Sequence, residues 1–295
     1  AVGEDDAPFF SFRYLIMGTV GASFYLLGVG YLYIVTGSLN MADLARLLPA
    51  LYGSNVVRIA FAFFVLGLAI KMALFPLHAW LPDAYTRAPS AGSALIAPLM
   101  TKIAVYVMIR ILYSVFRPSF GIETLPAAVI LHWIGITAIV AGAVMALAQT
   151  DFKRMLGYII VAEIGYMVGG LGVAQAVAIR GVILHILNDV LMTLGLFAVA
   201  GIINFRLKGH AVGDFRALFQ QMPWTMAALV VTALSIIGVP PTGGFFSKWF
   251  LIQGAMAAGC WIYVAALLFS SLVNVILFFR IFEIGYGFHV GTGNG

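Results

Sequence analysis

Long apolar runs alternate with short polar connectors along the whole chain, and this pattern predicts eight membrane-spanning helices. The runs cover residues 12–36, 56–81, 93–116, 125–148, 152–173, 177–203, 223–256 and 261–286. Each reaches the roughly 20 apolar residues that an α-helix needs to cross a bilayer. None alternates with the period of two that a membrane strand requires, so the predicted class is all-α, a polytopic transmembrane helix bundle. Residues 1–295 are read as a single transmembrane domain. Between the first two runs, residues 41–52 form a small amphipathic stretch expected to lie at the membrane interface.

Two of the runs contain helix breakers. The second reads GLAIKMALFPLHAWLPDA, with Pro76 inside it. The seventh reads IIGVPPTGGFFSKWFLI, with Pro240, Pro241, Gly243 and Gly244. Proline removes a backbone donor and clashes with the preceding turn. Lipid cannot satisfy the freed backbone groups, so each break must face protein or a wet cavity. Broken helices at matching places in two halves mark inverted-repeat transporters and their sites. A lysine stands beside each break, Lys71 before the first and Lys248 after the second.

Composition sharpens this picture. The chain is 63% hydrophobic and only 9% charged, against about 25% charged for a soluble domain. The net charge of +5 is scattered through the connectors and is read as topology rather than a nucleic-acid surface. With eight spans both ends fall on one side. That side collects Arg13, Arg87, Lys153, Arg154, Arg206, Lys208 and Arg216, while Arg46, Arg58, Arg117 and Arg180 fall on the other. The positive-inside rule then places both ends in the cytoplasm. The lone Cys260 rules out an internal disulfide and a cysteine-held cluster. No Walker-type or dinucleotide-binding glycine motif occurs, and no cofactor or metal is expected.

The candidate chemistry lies in charges placed inside apolar spans: Lys71, Lys102, Glu163, Asp189 and Lys248. A lysine or aspartate at the bilayer centre costs about 2.5–3.5 kcal/mol on insertion scales. The set together would cost roughly 10 kcal/mol or more unless pairing and hydration offset it. His185 lies four residues before Asp189, on the same helix face. Desolvation lowers a lysine pKa and raises a carboxylate pKa, and histidine titrates near neutrality already. These residue types therefore suit a proton relay bridged by water. The plainer alternatives are snorkelling lysines and acids that merely glue helices together. His78 and His132 carry less weight, and Arg110 and Arg280 near span ends read as interface anchors.

At these residues the sequence resembles a known family. The stretch Lys71-Met-Ala-Leu-Phe-Pro76-Leu-His78-Ala-Trp80-Leu-Pro82-Asp83-Ala84 is similar to the antiporter-like subunits of respiratory complex I and of Mrp cation/proton antiporters. So are Thr101-Lys102-Ile-Ala-Val-Tyr106, Gln149-Thr-Asp151-Phe-Lys153-Arg154 and Gly238-Val-Pro240-Pro241-Thr-Gly243-Gly-Phe245-Phe-Ser-Lys248-Trp249. The Thr101-Lys102 pair leans toward Mrp D-type and complex I N-type members, and Trp249 toward the D-type. The resemblance runs from about residue 12 to 286. It implies an inverted-repeat antiporter-like fold with two broken helices, residues 12–148 closing the first repeat and opening the second, and 152–286 completing the second. It implies a relay through Lys71, Lys102, Glu163, His185, Asp189 and Lys248, and partners among the membrane subunits of a complex I-like or Mrp-like assembly in a prokaryotic inner membrane. The family usually has a second histidine where Asp189 stands, often a lysine at Thr193, and often histidine or glutamine near Glu163, so an altered link or a cation site is expected there. The family also pairs its first lysine with a glutamate one helix earlier. The eight spans would be the sixth to thirteenth of fourteen, and the chain is expected to be part of a longer subunit. The expected function is proton translocation, with Na⁺/H⁺ exchange as a variant. The alternatives are a quinone-linked oxidoreductase subunit and a structural scaffold, and nothing in the chain supplies a redox or hydrolytic site.

Overall fold

The computed structural model describes residues 7–209 and 211–286. It is a bundle of helices with no sheet among the described residues. Six helices are long and apolar enough to cross a membrane, and two further crossings are split in two. The protein is therefore a multi-pass membrane protein, with a helix where each of the eight apolar runs predicts one.

The chain opens with α1 (Ala7–Thr36) and turns into α2 (Met41–Leu47), where the Asn40 side chain caps the backbone N–H groups of Ala42 and Asp43. Residues 41–51 are thus helical, as the amphipathic pattern requires, with Leu44 and Leu48 buried and Met41 and Leu47 exposed. Helix α3 (Asn55–Lys71) stops at the lysine, residues 72–80 run as turns, and α4 (Leu81–Arg87) resumes with a proline in its first turn. Helix α5 (Ser90–Ile109) continues into wide turns over residues 110–115 and again over 119–124. Pro118, which lacks a donor, falls between them.

Helices α6 (Ala127–Leu147) and α7 (Phe152–Gly172) lie against each other almost backbone to backbone. A Cβ at Gly135 would sit 2.4 Å from Gly169, which no side chain can occupy. Small residues bring membrane helices this close because lipid supplies no hydrophobic drive between them, leaving packing to hold them. Helix α7 becomes the centre of the bundle: 89% of its apolar window is buried, against 17% for α1. Helix α8 (Ala176–Leu207) crosses beside it. After the short α9 (Leu218–Gln221), α10 (Pro223–Ile237) ends at Gly238, whose φ of +92° suits glycine. Helix α11 (Gly243–Ala257) begins five residues later, and α12 (Trp261–Tyr286) closes the fold. Gly244 enters so near α10 that a Cβ there would lie 1.7 Å from the Ser235 carbonyl. Both predicted breaks are real, and each turn holds a cis prolyl bond, at Phe75–Pro76 and Pro240–Pro241.

Candidate functional site

The centre of the bundle is built from α5, α7, α8 and the second broken helix. Lys102 of α5 and Glu163 of α7 are each only 1% exposed, as is Asp189 of α8. Their positions follow from helical spacing. His185, Asp189 and Thr193 fall four apart on α8 and present one face. That face turns to α7 and α5, because α8 packs against both and against α11.

Two ion pairs result. The Lys102 ammonium lies 3.1 Å from Asp189 Oδ2, an ionic contact without hydrogen-bond alignment, and donates to Thr193 Oγ1 at 3.3 Å. Thr193 in turn donates to Asp189 Oδ1 at 2.7 Å. One turn along α8, His185 Nε2 lies 2.6 Å from Glu163 Oε2, and its Nδ1 lies 2.9 Å from Ser247 Oγ. Ligand atoms of Glu163, His185 and Asp189 all lie within 4.8 Å of one another, so the two pairs form one cluster. A small cavity touches both, lined by Glu163, Asp189 and Thr193 and walled by Leu156, Phe197 and Ile236. It offers about 10 Å³ to the centre of a water molecule, close to the minimum for one water. Among the described residues Glu163 Oε1 has no hydrogen-bond partner. Such an orphaned buried oxygen is costly unless a water or proton reaches it.

Lys248 lies within electrostatic range of Glu163 and Asp189. Only 5% exposed, its ammonium is held by the carbonyls of Ile236 and Ile237, which the break after α10 leaves free, and by Ser271 Oγ at 3.1 Å. It also lies 4.9 Å from the centre of the Tyr166 ring, a favourable cation–π placement. Tyr166 donates to Ser270 Oγ at 2.6 Å, and Tyr263 donates to the Tyr166 carbonyl at 2.5 Å.

Lys71 is placed differently. It ends α3 partly exposed, its stem packed on α1, where a Cβ at Gly21 would meet Lys71 Cγ at 3.2 Å. Among the described residues no carboxylate pairs with it. The structure thus gathers Lys102, Glu163, His185 and Asp189 into one cluster, sets Lys248 beside it, and leaves Lys71 outside. Of the weaker candidates, His132 bonds the Gly169 carbonyl through Nδ1 at 3.2 Å, and His78 stacks on Phe75. Arg110 donates to the Tyr106 hydroxyl.

Several partners were given no role from the sequence: Ser247, Ser270, Ser271 and Tyr166. Lys153, counted there as a connector charge, is buried and its ammonium donates to Ser90 Oγ at 3.1 Å. Tyr166 lies three residues from Glu163, so helical spacing alone could have found it. The serines meet their partners only through tertiary packing.

Glu163, His185 and Asp189 could each offer one ligand atom to a cation, which would have to displace the partners they now have. Both His185 nitrogens are engaged, and the Lys102 ammonium already neutralises Asp189. What the arrangement can do is hold and hand on protons between groups whose charged forms depend on one another. A wider cleft of about 410 Å³ between α1, α4 and α5 is lined by Tyr14, Tyr85, Arg87 and Ser93, and no cluster residue reaches it.

Two broken helices around a buried cluster of charges define a class of multi-pass membrane proteins with an interrupted-helix bundle fold. The chain belongs to the NADH:quinone oxidoreductase/Mrp antiporter transmembrane family, whose model matches residues 9–274. It is 50% identical over 274 residues to the N-type subunit of the NADH-quinone oxidoreductase of Desulforudis audaxviator, covering 93% of this chain and 54% of that protein. It is 34% identical over 273 residues to the D-type subunit of the Na⁺/H⁺ antiporter of Alkalihalophilus pseudofirmus, covering 92% and 54%. Its fold matches a chain of the Mrp complex from Dietzia sp. with a TM-score of 0.86 at 27% identity, over 93% of this chain and 50% of that one. The chain spans about half the length of the curated relatives it matches. Similarity to N-type and D-type subunits together is what the Thr101-Lys102 and Trp249 motifs implied.

Proposed function

We propose that this chain carries the central and second-half proton pathway of an ion-translocating membrane subunit. Protons would pass between Lys102–Asp189 and Glu163–His185 and on to Lys248, with Lys71 feeding the relay from the first broken helix. One observation carries the reading. Lys102 and Asp189, 3.1 Å apart, and Glu163 and His185, 2.6 Å apart, are all buried, and ligand atoms of Glu163, His185 and Asp189 lie within 4.8 Å of one another, a grouping too costly to keep as mere helix glue when apolar side chains would pack as well. In this mechanism a proton arriving at one pair changes the charge felt by the next, so the protonation states shift in sequence. Moving one charge across 100 mV costs about 2.3 kcal/mol. A change of about two pKa units, which the gain or loss of one neighbouring charge can produce, is of that size.

The partners in this reading are other membrane subunits of a complex I-like or Mrp-like assembly. The membrane is a prokaryotic inner membrane, with residues 7 and 286 both on the cytoplasmic side. Residues 12–148 and 152–286 divide between the two repeats. The test is ion flux in proteoliposomes holding the whole complex, under separate H⁺ and Na⁺ gradients. Lys71→Ala and Lys248→Ala should each stop proton flux while leaving assembly intact. Full flux in both variants would overturn the relay, and flux driven only by Na⁺ would make the cargo the metal ion.

A further inference from the structure

Ser247 precedes the lysine of the second broken helix, is fully buried, and is the only group among the described residues hydrogen-bonded to Nδ1 of His185. Its hydroxyl lies between two partners, His185 Nδ1 at 2.9 Å and the Gly244 carbonyl at 3.1 Å. A hydroxyl has one proton to donate and two lone pairs to accept with. The carbonyl can only accept, whereas the imidazole nitrogen accepts when bare and donates when protonated.

These facts fix how the trio must behave. When His185 is neutral with its proton on Nε2 toward Glu163, the bare Nδ1 accepts from the Ser247 O–H. When His185 gains a second proton, Nδ1–H must donate, and Ser247 accepts it and turns its own proton to the Gly244 carbonyl. No heavy atom moves in either state, and every hydrogen stays bonded. We infer that Ser247 is a positioning residue for the relay, a two-state hydroxyl rotor that satisfies His185 in both protonation states and ties that histidine to α11.

The inference rests on the proton-relay reading for its consequence, although the hydrogen bonding stands without it. The charged and titratable groups facing His185 are Glu163 and Tyr166 from α7 and Asp189 on its own helix, with Lys102 from α5 acting through Asp189 and Lys248 from α11 through Glu163 and Asp189. All of them survive a change at Ser247, so a shift in the titration of His185 would report the lost hydroxyl.

The test is solid-state ¹⁵N NMR of histidine-labelled, full-length subunit in its complex in lipid, followed through pH, with His185→Gln to assign the resonance. In Ser247→Ala both forms of the ring lose their Nδ1 partner, the imidazolium the stronger one, and the titration midpoint should fall by the difference, about 0.5–1 pH unit. The alkaline limb of the proton-flux profile should fall with it. Ser247→Thr keeps the hydroxyl and should restore both. An unchanged midpoint in Ser247→Ala overturns the inference, as does a Ser247→Thr midpoint shifted as far as that of Ser247→Ala. If the midpoint shifts and threonine restores it while flux ignores both changes, the rotor stands and the relay reading fails.

Discussion

The two broken helices use the same device and finish it differently. Each interrupts an apolar span with prolines beside a lysine, but at the first the turn's own N–H groups bond the carbonyls of Leu68, Ala69 and Ile70, whereas the second leaves the carbonyls of Ile236 and Ile237 for a side chain. At the second break the ammonium of Lys248 takes the carbonyls of Ile236 and Ile237. At the first, the Trp80 indole N–H donates to the Ile70 carbonyl at 3.2 Å, and Lys71 takes none. The order of residues explains this. Lys248 follows its break and reaches back over the freed carbonyls, whereas Lys71 precedes its break and, among the described residues, bonds none of the carbonyls there. At the first break the neutral indole is a second donor to Ile70, beside the Ala73 N–H, and the lysine takes no part. At the second, capping and charge reside in one side chain.

That difference can be broken by substitution. The largest effect is expected at the buried Lys102–Asp189 pair. Asp189→Asn leaves the Lys102 ammonium buried without its counter-charge and should destabilise the protein by about 3–5 kcal/mol. The double change Lys102→Met with Asp189→Leu should recover most of that loss, and thermal unfolding in detergent would show both. Next comes the close approach at the second break. Gly244→Ala places a methyl group in the Ser235 carbonyl and should cost about 1–3 kcal/mol or more, displacing α11 and with it Lys248. Lys248→Met should follow, leaving two buried carbonyls without their donor at about 1–3 kcal/mol. Lys71→Met should leave the unfolding temperature almost unchanged, since no buried partner is orphaned. If the two lysine variants unfold alike, the contrast between the breaks is wrong. Between the two lysine variants falls Trp80→Phe, which keeps the ring and loses one neutral hydrogen bond, about 0.5–1.5 kcal/mol, so that Lys71→Met has the smallest effect.

The same contrast explains what the sequence disclosed. Both breaks were legible because proline and glycine act locally, and Pro76 and Pro240–Gly244 mark the interruptions to within a few residues. The buried charges were legible because insertion energy makes them conspicuous. His185 and Asp189 shared a face by spacing alone. The pairing was not legible: four-residue spacing cannot say that Asp189 meets Lys102 on α5 while His185 meets Glu163 on α7. That depends on the crossing of α8 over two helices. Nor could spacing show that Trp80 donates at one break and Lys248 at the other, because both bonds close across turns whose path the prolines disturb without dictating. The serines stayed hidden for a related reason. A hydroxyl costs little in an apolar span, since it can bond the preceding turn, as Ser247 does with Gly244.

The central claim is that the cluster passes protons through groups that change charge, and Glu163 tests it most directly. Glu163→Gln keeps the shape and can still hydrogen-bond His185, but it cannot take up or give up a proton. Proton flux should be measured in proteoliposomes of the whole complex, with thermal unfolding recorded on the same preparation. The account predicts that flux falls at least tenfold while assembly and unfolding temperature stay near wild type. Undiminished flux in a correctly assembled Glu163→Gln complex would contradict it.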